Sequence, residues 1–517
     1  MKTRRGRTIY FLFLLPLLVT VLVSCTGNGQ LILPDPAAHS SCGNDTSGGN
    51  EDQGQNQNQG NQLLVTINPS CSLGISHYIP GLTHVDTTLI DPVNAAQQSA
   101  VNNVKALIKG TIKYQNTHIM GWGMPDPWPN PTDPAPTQWS SLDARMQLAV
   151  STGSQVVISL DEAPWWMKGS LQNDGSTHRL TAAEEWASVS YSSRILDNKM
   201  DDWLRLVESV ARRYMVPPYN ARYFQVWNEM KGYFDPLTNT YDYADNPGNP
   251  NGYNATHGYT YMYNLVYERL MSVAASLHIP TDSVKIGGPY VFVDVWSSRD
   301  QHNASNIVGP YGALDQRSLD TIQYWMQHKV GAGFVTFDSS VENRDTGKVL
   351  ADPCLSAEVF GAVTSWIRSL DPTLYPGSRT LPVWLAEWFA GPRNGQHNPD
   401  YDDAVKTCAM IKFIKAGGAV ALSWGGSDDN SVDLGMYGTG GIPHPWYWTL
   451  KALKTDFAPG TPLYQATISD PNSVVTLASD RNLVLVNKTA RKLTVQVKQK
   501  QVALGPYSVV ILNYTQK

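Results

Sequence analysis

Two short runs of the sequence end in a glutamate. "YFQVWNE" closes at Glu229 and "LPVWLAE" closes at Glu387. Each is an apolar stretch of the kind that forms a strand buried on both faces. One such carboxylate can be no more than a strand-end residue in a salt bridge. Two of them, from distant parts of the chain, could converge over one pocket. A protonated carboxyl that gives a leaving oxygen its proton, beside an ionised one that attacks carbon, is the chemistry of glycosidic bond cleavage. At roughly 5–5.5 Å apart the pair would retain anomeric configuration through a covalent intermediate. The surroundings must then hold the two pKa values apart, with the acid raised toward about 6 by apolar walls and negative neighbours. Trp227, Trp384 and Trp388 could supply such walls, and Asn228 could hold a sugar 2-hydroxyl. Carboxylates and water suffice for this reaction, so no cofactor and no catalytic metal is expected.

Convergence needs a scaffold that gathers strand ends. From about residue 72 to 455, β-rich runs alternate with amphipathic helical stretches. Strands are expected at "THIMGWG", "QVVISL", "YFQVWNE", "VKIGG", "GFVTFDS", "PVWLAEW" and "AVALSW", with a first one within residues 73–88. Between them, "DDWLRLVESVARRY" puts Trp203, Leu206, Val207, Val210 and Tyr214 on one helix face. The alternation predicts an α/β fold, a (β/α)8 TIM barrel with long loops, followed by a small antiparallel β domain. A doubly wound sheet is the alternative, but no Gly-rich phosphate loop follows an early strand. In the barrel, Glu229 and Glu387 end the fourth and seventh strands, on the face where barrel active sites form. The same face gathers further candidates for substrate binding: Trp122 ending the second strand, Trp165 after the third, Tyr290 after the fifth, Asp338 ending the sixth, Trp388 beside Glu387 and Trp424 ending the eighth. Asp338 could bind a hydroxyl or cap the next segment. His118 is expected to be a satisfied core histidine. Lys168 and Lys231 could meet a uronic-acid carboxylate, although a loop lysine is ordinarily just solvated.

"VWNE" at 226–229 resembles the acid/base motif of clan A glycoside hydrolases, and "LAEW" at 385–388 resembles their nucleophile strand. Within the clan the sequence is most similar to glycoside hydrolase family 39, the β-xylosidase and α-L-iduronidase group, over roughly residues 72–517. The resemblance implies a retaining glycosidase with Glu229 as general acid/base, Asn228 as 2-hydroxyl ligand and Glu387 as nucleophile. One departure stands out. Many clan members carry a His and a Tyr at the end of the sixth strand, whereas this chain reads "GFVTFDSS", with Asp338 and no His. The specificities of family 39 therefore do not transfer, and the chain resembles a divergent branch. A catalytically inactive carbohydrate-binding protein on the same barrel is the competing reading.

The remaining features set the context. The chain has 517 residues, a net charge of −5 and no basic stripe, which gives a nucleic-acid partner no electrostatic support. Sixteen Trp and 25 Tyr, many in Pro- and Gly-rich loops, suit the apolar faces of sugars. "MKTRRGR", the apolar run after it and "LVSC" resemble a bacterial lipoprotein signal over residues 1–24, with lipidation of Cys25. Ordinary signal cleavage and an uncleaved anchor are the alternatives, and all three export the chain. The expected location is the cell surface, with the membrane reached through the lipid. Residues 25–62 read as a polar tether, 63–458 as the barrel domain and 459–517 as a β-sandwich-like domain that could recruit 63–70 as an extra strand. Besides Cys25 there are Cys42, Cys71, Cys354 and Cys408. Their pairing is open, and Cys408 reads as a buried free thiol.

Overall fold

The computed structural model describes residues 62–84, 89–90, 92, 94–120, 124–245, 257–390, 398–425 and 435–515. The signal, Cys25, the tether, Cys42 and Trp122 lie outside them.

Eight parallel strands close into a barrel: β1 (Ile79–Thr83), β2 (Tyr114–His118), β3 (Gln155–Leu160), β4 (Tyr223–Val226), β5 (Lys285–Phe292), β6 (Phe334–Ser339), β7 (Val383–Trp388) and β8 (Val420–Trp424). Each is followed by a major helix: α1 (Ala95–Thr111), α2 (Ser140–Ser151), α3 (Met200–Tyr214), α4 (Tyr259–Ser276), α5 (Gln316–His328), α6 (Glu358–Ser369), α7 (Pro399–Lys415) and α8 (Pro445–Asp456). This is the (β/α)8 barrel that the alternation predicts. The expected face of α3 is the buried one, with Trp203, Leu206, Val207, Val210 and Tyr214 all in the core. The second strand lies earlier than expected and ends at His118, so Trp122 is beyond it.

Strand alternation sorts the barrel interior into layers. At the floor, Trp384 stacks on Phe334 with centroids 4.0 Å apart, and Tyr114 and Tyr223 close around it. Val157, Val420 and Leu422 complete this apolar plug. One step up, the interior is polar and hydrogen-bonded in sequence around the barrel. Thr336 Oγ1 donates to Gln225 Oε1 (3.1 Å), Gln225 Nε2 to Ser159 Oγ (3.2 Å) and Ser159 Oγ to Asn116 Oδ1 (3.0 Å). Asn116 Nδ2 then donates to Thr83 Oγ1 (3.2 Å), and Thr83 Oγ1 to the carbonyl of Ala386 (2.8 Å). Every member is buried, so each pairing avoids the roughly 1–3 kcal/mol of an unsatisfied polar group. The next step up holds the ionisable groups.

The C-terminal strands form one seven-stranded sheet with Leu63–Ile75, which lies between Leu493–Val497 and Pro462–Ile468. Residues 63–75 thus pair with the second sheet and not with the barrel. All neighbours are antiparallel except Leu63–Ile75 with Leu493–Val497. One face of the sheet carries its own core, in which Leu63, Val65, Leu483, Leu485, Val495 and Val497 are buried. The other face sends Leu477, Val484 and Val486 into the core shared with α7 and α8.

Cys408 is not a free thiol. It bridges to Cys354, with Cα atoms 5.3 Å apart, tying α7 to the short helix ahead of α6. Cys71 is disulfide-bonded as well. Among the described residues no helix is long and apolar enough to cross a membrane.

Candidate active site

β7 does not alternate simply. Its register with both neighbours slips by one residue between Leu385 and Trp388. Such a bulge re-aims the side chains that follow it. Leu385 and Trp388 consequently both face the helix layer, where Trp388 meets Phe360 and Trp446 edge-on. Glu387 turns into the barrel mouth instead. Its freed backbone N–H donates to Asp338 Oδ1 at 2.5 Å, a contact reaching across from β6. β5 carries a matching irregularity between Pro289 and Val291, and the extra residue is Tyr290 at φ 52°. Tyr290 is fully buried and its hydroxyl donates to Glu387 Oε2 at 3.0 Å.

β4 ends in a strained turn. Trp227, Glu229 and Met230 have φ of 71°, 48° and 55°, a left-handed region that costs on the order of 1–3 kcal/mol per residue. The turn is held by Trp227 Nε1 donating to the Lys231 carbonyl (2.7 Å) and by Trp227 packing edge-on against Trp203 and Tyr233. Gly232 follows at φ 77°, and a Cβ there would meet Ser193 backbone at 2.2 Å. The result projects Glu229 over the mouth. Oxygens of Glu229, Asp338 and Glu387 all lie within 4.8 Å of one another. That spacing could hold a divalent cation, but positive charge is already built in: Lys231 Nζ is 3.2 Å from Glu229 Oε2, and His118 Nε2 is 3.6 Å from Glu387 Oε2.

His118 belongs to this site, contrary to the expectation of a plain core residue. Its Nδ1 pairs with Asp161, which fixes the ring and leaves Nε2 toward Glu387. Burial alone would lower its pKa. Asp161 and Glu387 outweigh that and raise it to about 9. Buried Arg145 on α2 secures the strand end beneath, donating to Thr117 Oγ1 (3.0 Å) and to the carbonyls of His118 and Ile119. Burial pushes the Glu387 carboxyl up to about 7, with the negative charge of Glu229 adding to the rise and His118 and Lys231 opposing it. Asp338 is driven well above the usual carboxylate range by burial and by both glutamates. Lys231 is raised, because Glu229, Glu162 and Glu387 together outweigh its burial.

The other sequence candidates divide. Asn228 is buried beside Glu229, and neither its Oδ1 nor its Nδ2 has a hydrogen-bond partner among the described residues. Among the described residues Asp338 caps no following segment; it supports Glu387 from inside the barrel. Trp424 ends β8 half-buried, on the interior side by its alternation with Val420 and Leu422. Trp165 is half-buried after β3, donating to the Pro129 carbonyl at 3.2 Å. Trp388 faces away from the mouth, so its assignment to substrate binding is corrected: the bulge that brings Glu387 in turns it out. Trp384 is at the floor and Trp227 in the helix layer, so neither walls the carboxyls. Lys168 is not solvated. It is buried and paired with Glu162 at 3.3 Å.

No protein-family model and no curated protein matches the sequence. Solved structures of similar fold include a conserved exported protein from Bacteroides fragilis, at 10% identity over 87% of this chain and 100% of that one, with a TM-score of 0.56. SrfJ from Salmonella typhimurium aligns at 12% identity over 88% and 93%, TM-score 0.54. An endo-β1,6-glucanase aligns at 12% identity over 88% and 94%, TM-score 0.50. At these identities the likeness is one of fold.

Proposed function

We propose that this chain is a retaining glycoside hydrolase acting on an oligo- or polysaccharide. The observation that carries the reading is the approach of Glu229 and Glu387 oxygens to within 4.8 Å across the barrel mouth. An inverting pair needs roughly 6.5–9.5 Å to admit a water between carboxyl and sugar, whereas roughly 5–5.5 Å suits direct attack. Glu387 attacks the anomeric carbon as the bond to the leaving oxygen breaks, and Glu229 gives that oxygen its proton. Water then attacks the glycosyl-enzyme, returning a proton to Glu229 and freeing Glu387. Tyr290 and His118 both address Glu387 Oε2, steadying the ionised form on one oxygen while the other faces the reaction. The similar fold of an endo-β1,6-glucanase supports a carbohydrate substrate.

A second assignment of roles has one observation in its favour. Glu387 is the more deeply buried carboxyl and its pKa is raised to about 7, while Glu229 is ion-paired with Lys231. That would suit Glu387 as acid and Glu229 as nucleophile. The two assignments differ in how each variant responds to the leaving group.

We also infer that the chain is exported and lipid-anchored through Cys25. The Cys354–Cys408 bridge supports an oxidising compartment.

The reading is tested on a panel of glucosides, xylosides, other aryl glycosides and polysaccharides of both anomeric configurations. The wild type should hydrolyse at least one; turnover of none would count against it. Asn228 gives a sharper result. An unpaired buried amide costs about 1–3 kcal/mol, and a sugar 2-hydroxyl would satisfy it. Asn228→Ala should lower kcat/KM about 10²-fold on a normal glycoside and far less on its 2-deoxy analogue. Equal losses on both would remove Asn228 from that role.

A further inference from the structure

A cavity of about 480 Å³ opens beside Glu229. It falls within the roughly 300–1,000 Å³ of small-molecule sites. Of the three clustered carboxyls, Glu229 lines it. The walls come from successive loops at the same barrel face: Leu171 after β3, Phe234 and Tyr241 after β4, Arg317 at the start of α5 and Arg344 after β6. Phe234 is the unusual member. It is 38% exposed, whereas the preceding Tyr233 is buried. Its ring is braced edge-on by Tyr241 at 5.8 Å, and the Arg317 guanidinium lies 5.5 Å from its centroid. An apolar ring braced by a neighbouring ring and open to a cavity lined by both polar and apolar groups suits the face of a sugar.

The cations around it are balanced from behind. Arg317 Nη2 pairs with Asp315 at 2.6 Å, and Arg344 pairs with Asp294. Their contribution at the wall is therefore fixed N–H donors, which suit hydroxyl groups, more than net positive charge. Arg344 is 47% exposed and is the more accessible of the two.

We propose that this cavity is the leaving-group subsite, where the departing sugar stacks on Phe234 and presents hydroxyls to Arg344. The inference rests on Glu229 being the acid: the proton donor touches the oxygen between the two sugars, so the ring on its side is the one that leaves. The substrate then extends past the scissile bond, and a sugar leaving group is recognised in its own right.

The test compares disaccharides with the matching glycosyl fluorides, whose leaving atom is too small to use the subsite. Phe234→Ala should lose kcat/KM on the disaccharide about tenfold more than on the fluoride, and Phe234→Trp should recover most of the difference. Equal losses on the two substrates, or none on the disaccharide, would overturn the subsite; equal losses are also what the swapped roles would give. Should the wild type hydrolyse neither these nor any other glycoside of the panel, the glycosidase reading fails. The role of Phe234 in sugar binding is then decided by calorimetric titration of the same disaccharides into wild type and Phe234→Ala. About tenfold weaker binding by the variant supports a sugar-binding platform at Phe234 that is not a leaving-group subsite; equal affinity, or no binding by either, rejects the platform as well.

Discussion

Glu387→Ala is expected to lower kcat on any accepted glycoside by about 10⁴- to 10⁶-fold, the scale on which loss of a nucleophile acts. The loss should be similar for good and poor leaving groups, because no covalent intermediate can form with either. A small anion such as azide, placed in the space vacated by the side chain, should restore part of the rate on an activated substrate and give a glycosyl azide of inverted configuration. Near-normal turnover in this variant would contradict the assignment. The wild-type pH profile follows from the same environment. The ionised carboxylate is the reactive form, and burial raises Glu387 to about 7. As pH falls below that value the ionised fraction falls, so kcat/KM should drop about tenfold per pH unit on the acid side. The limb belongs to the coupled cluster of Glu387, Asp338 and Glu229 and not to one group alone.

Glu229→Gln should show the opposite dependence on the leaving group. A general acid contributes about 10²- to 10⁴-fold, and only where the leaving oxygen needs a proton. The variant should lose that much on disaccharides and far less on glycosyl fluorides in the first step. The second step still needs a base, so the glycosyl-enzyme should accumulate with an activated substrate and give a burst of released leaving group. Mass spectrometry would detect it as a sugar residue attached to Glu387. If Glu387→Gln shows this pattern and Glu229→Gln shows a uniform loss, the roles are swapped. The buried position of Glu387 and the Lys231–Glu229 pair would then explain why.

The barrel was legible because its strands are continuous apolar runs separated by helices of clear period, as "QVVISL" and "DDWLRLVESVARRY" show. The position of Glu387 at the end of its strand followed from that, whereas β4 stops at Val226 and Glu229 stands in the turn three residues beyond it. What alternation misplaces is the neighbourhood of Glu387. In a regular strand with Trp384 inside, Glu387 would point out and Trp388 in. The bulge reverses both, and no residue of "VWLAEW" marks it. The tryptophans beside the two motifs read as pocket walls, but Trp227 and Trp388 pack outward and Trp384 forms the floor. His118 read as core because its partners are distant in sequence: Asp161 reaches it by the pairing of β2 with β3, and Glu387 only through barrel closure. The alternation Tyr114, Asn116, His118 does place it inside and at the top, and that was the usable signal. In "MKGYF", the ring that lines the cavity beside Glu229 is Phe234, while Tyr233 is fixed between Trp227 and Tyr259. Cys408 looked like a free thiol because its helix face is apolar, and its partner Cys354 lies on another element.

The central claim is that Glu229 and Glu387 act as a close pair through a covalent intermediate. The most direct measurement is the anomeric configuration of the first-formed product, followed by proton NMR immediately after the enzyme meets a substrate of known configuration. The expected result is a product with the substrate's own configuration, which only later mutarotates. A first-formed product of inverted configuration would contradict the account, because it requires a water between carboxyls that approach to within 4.8 Å.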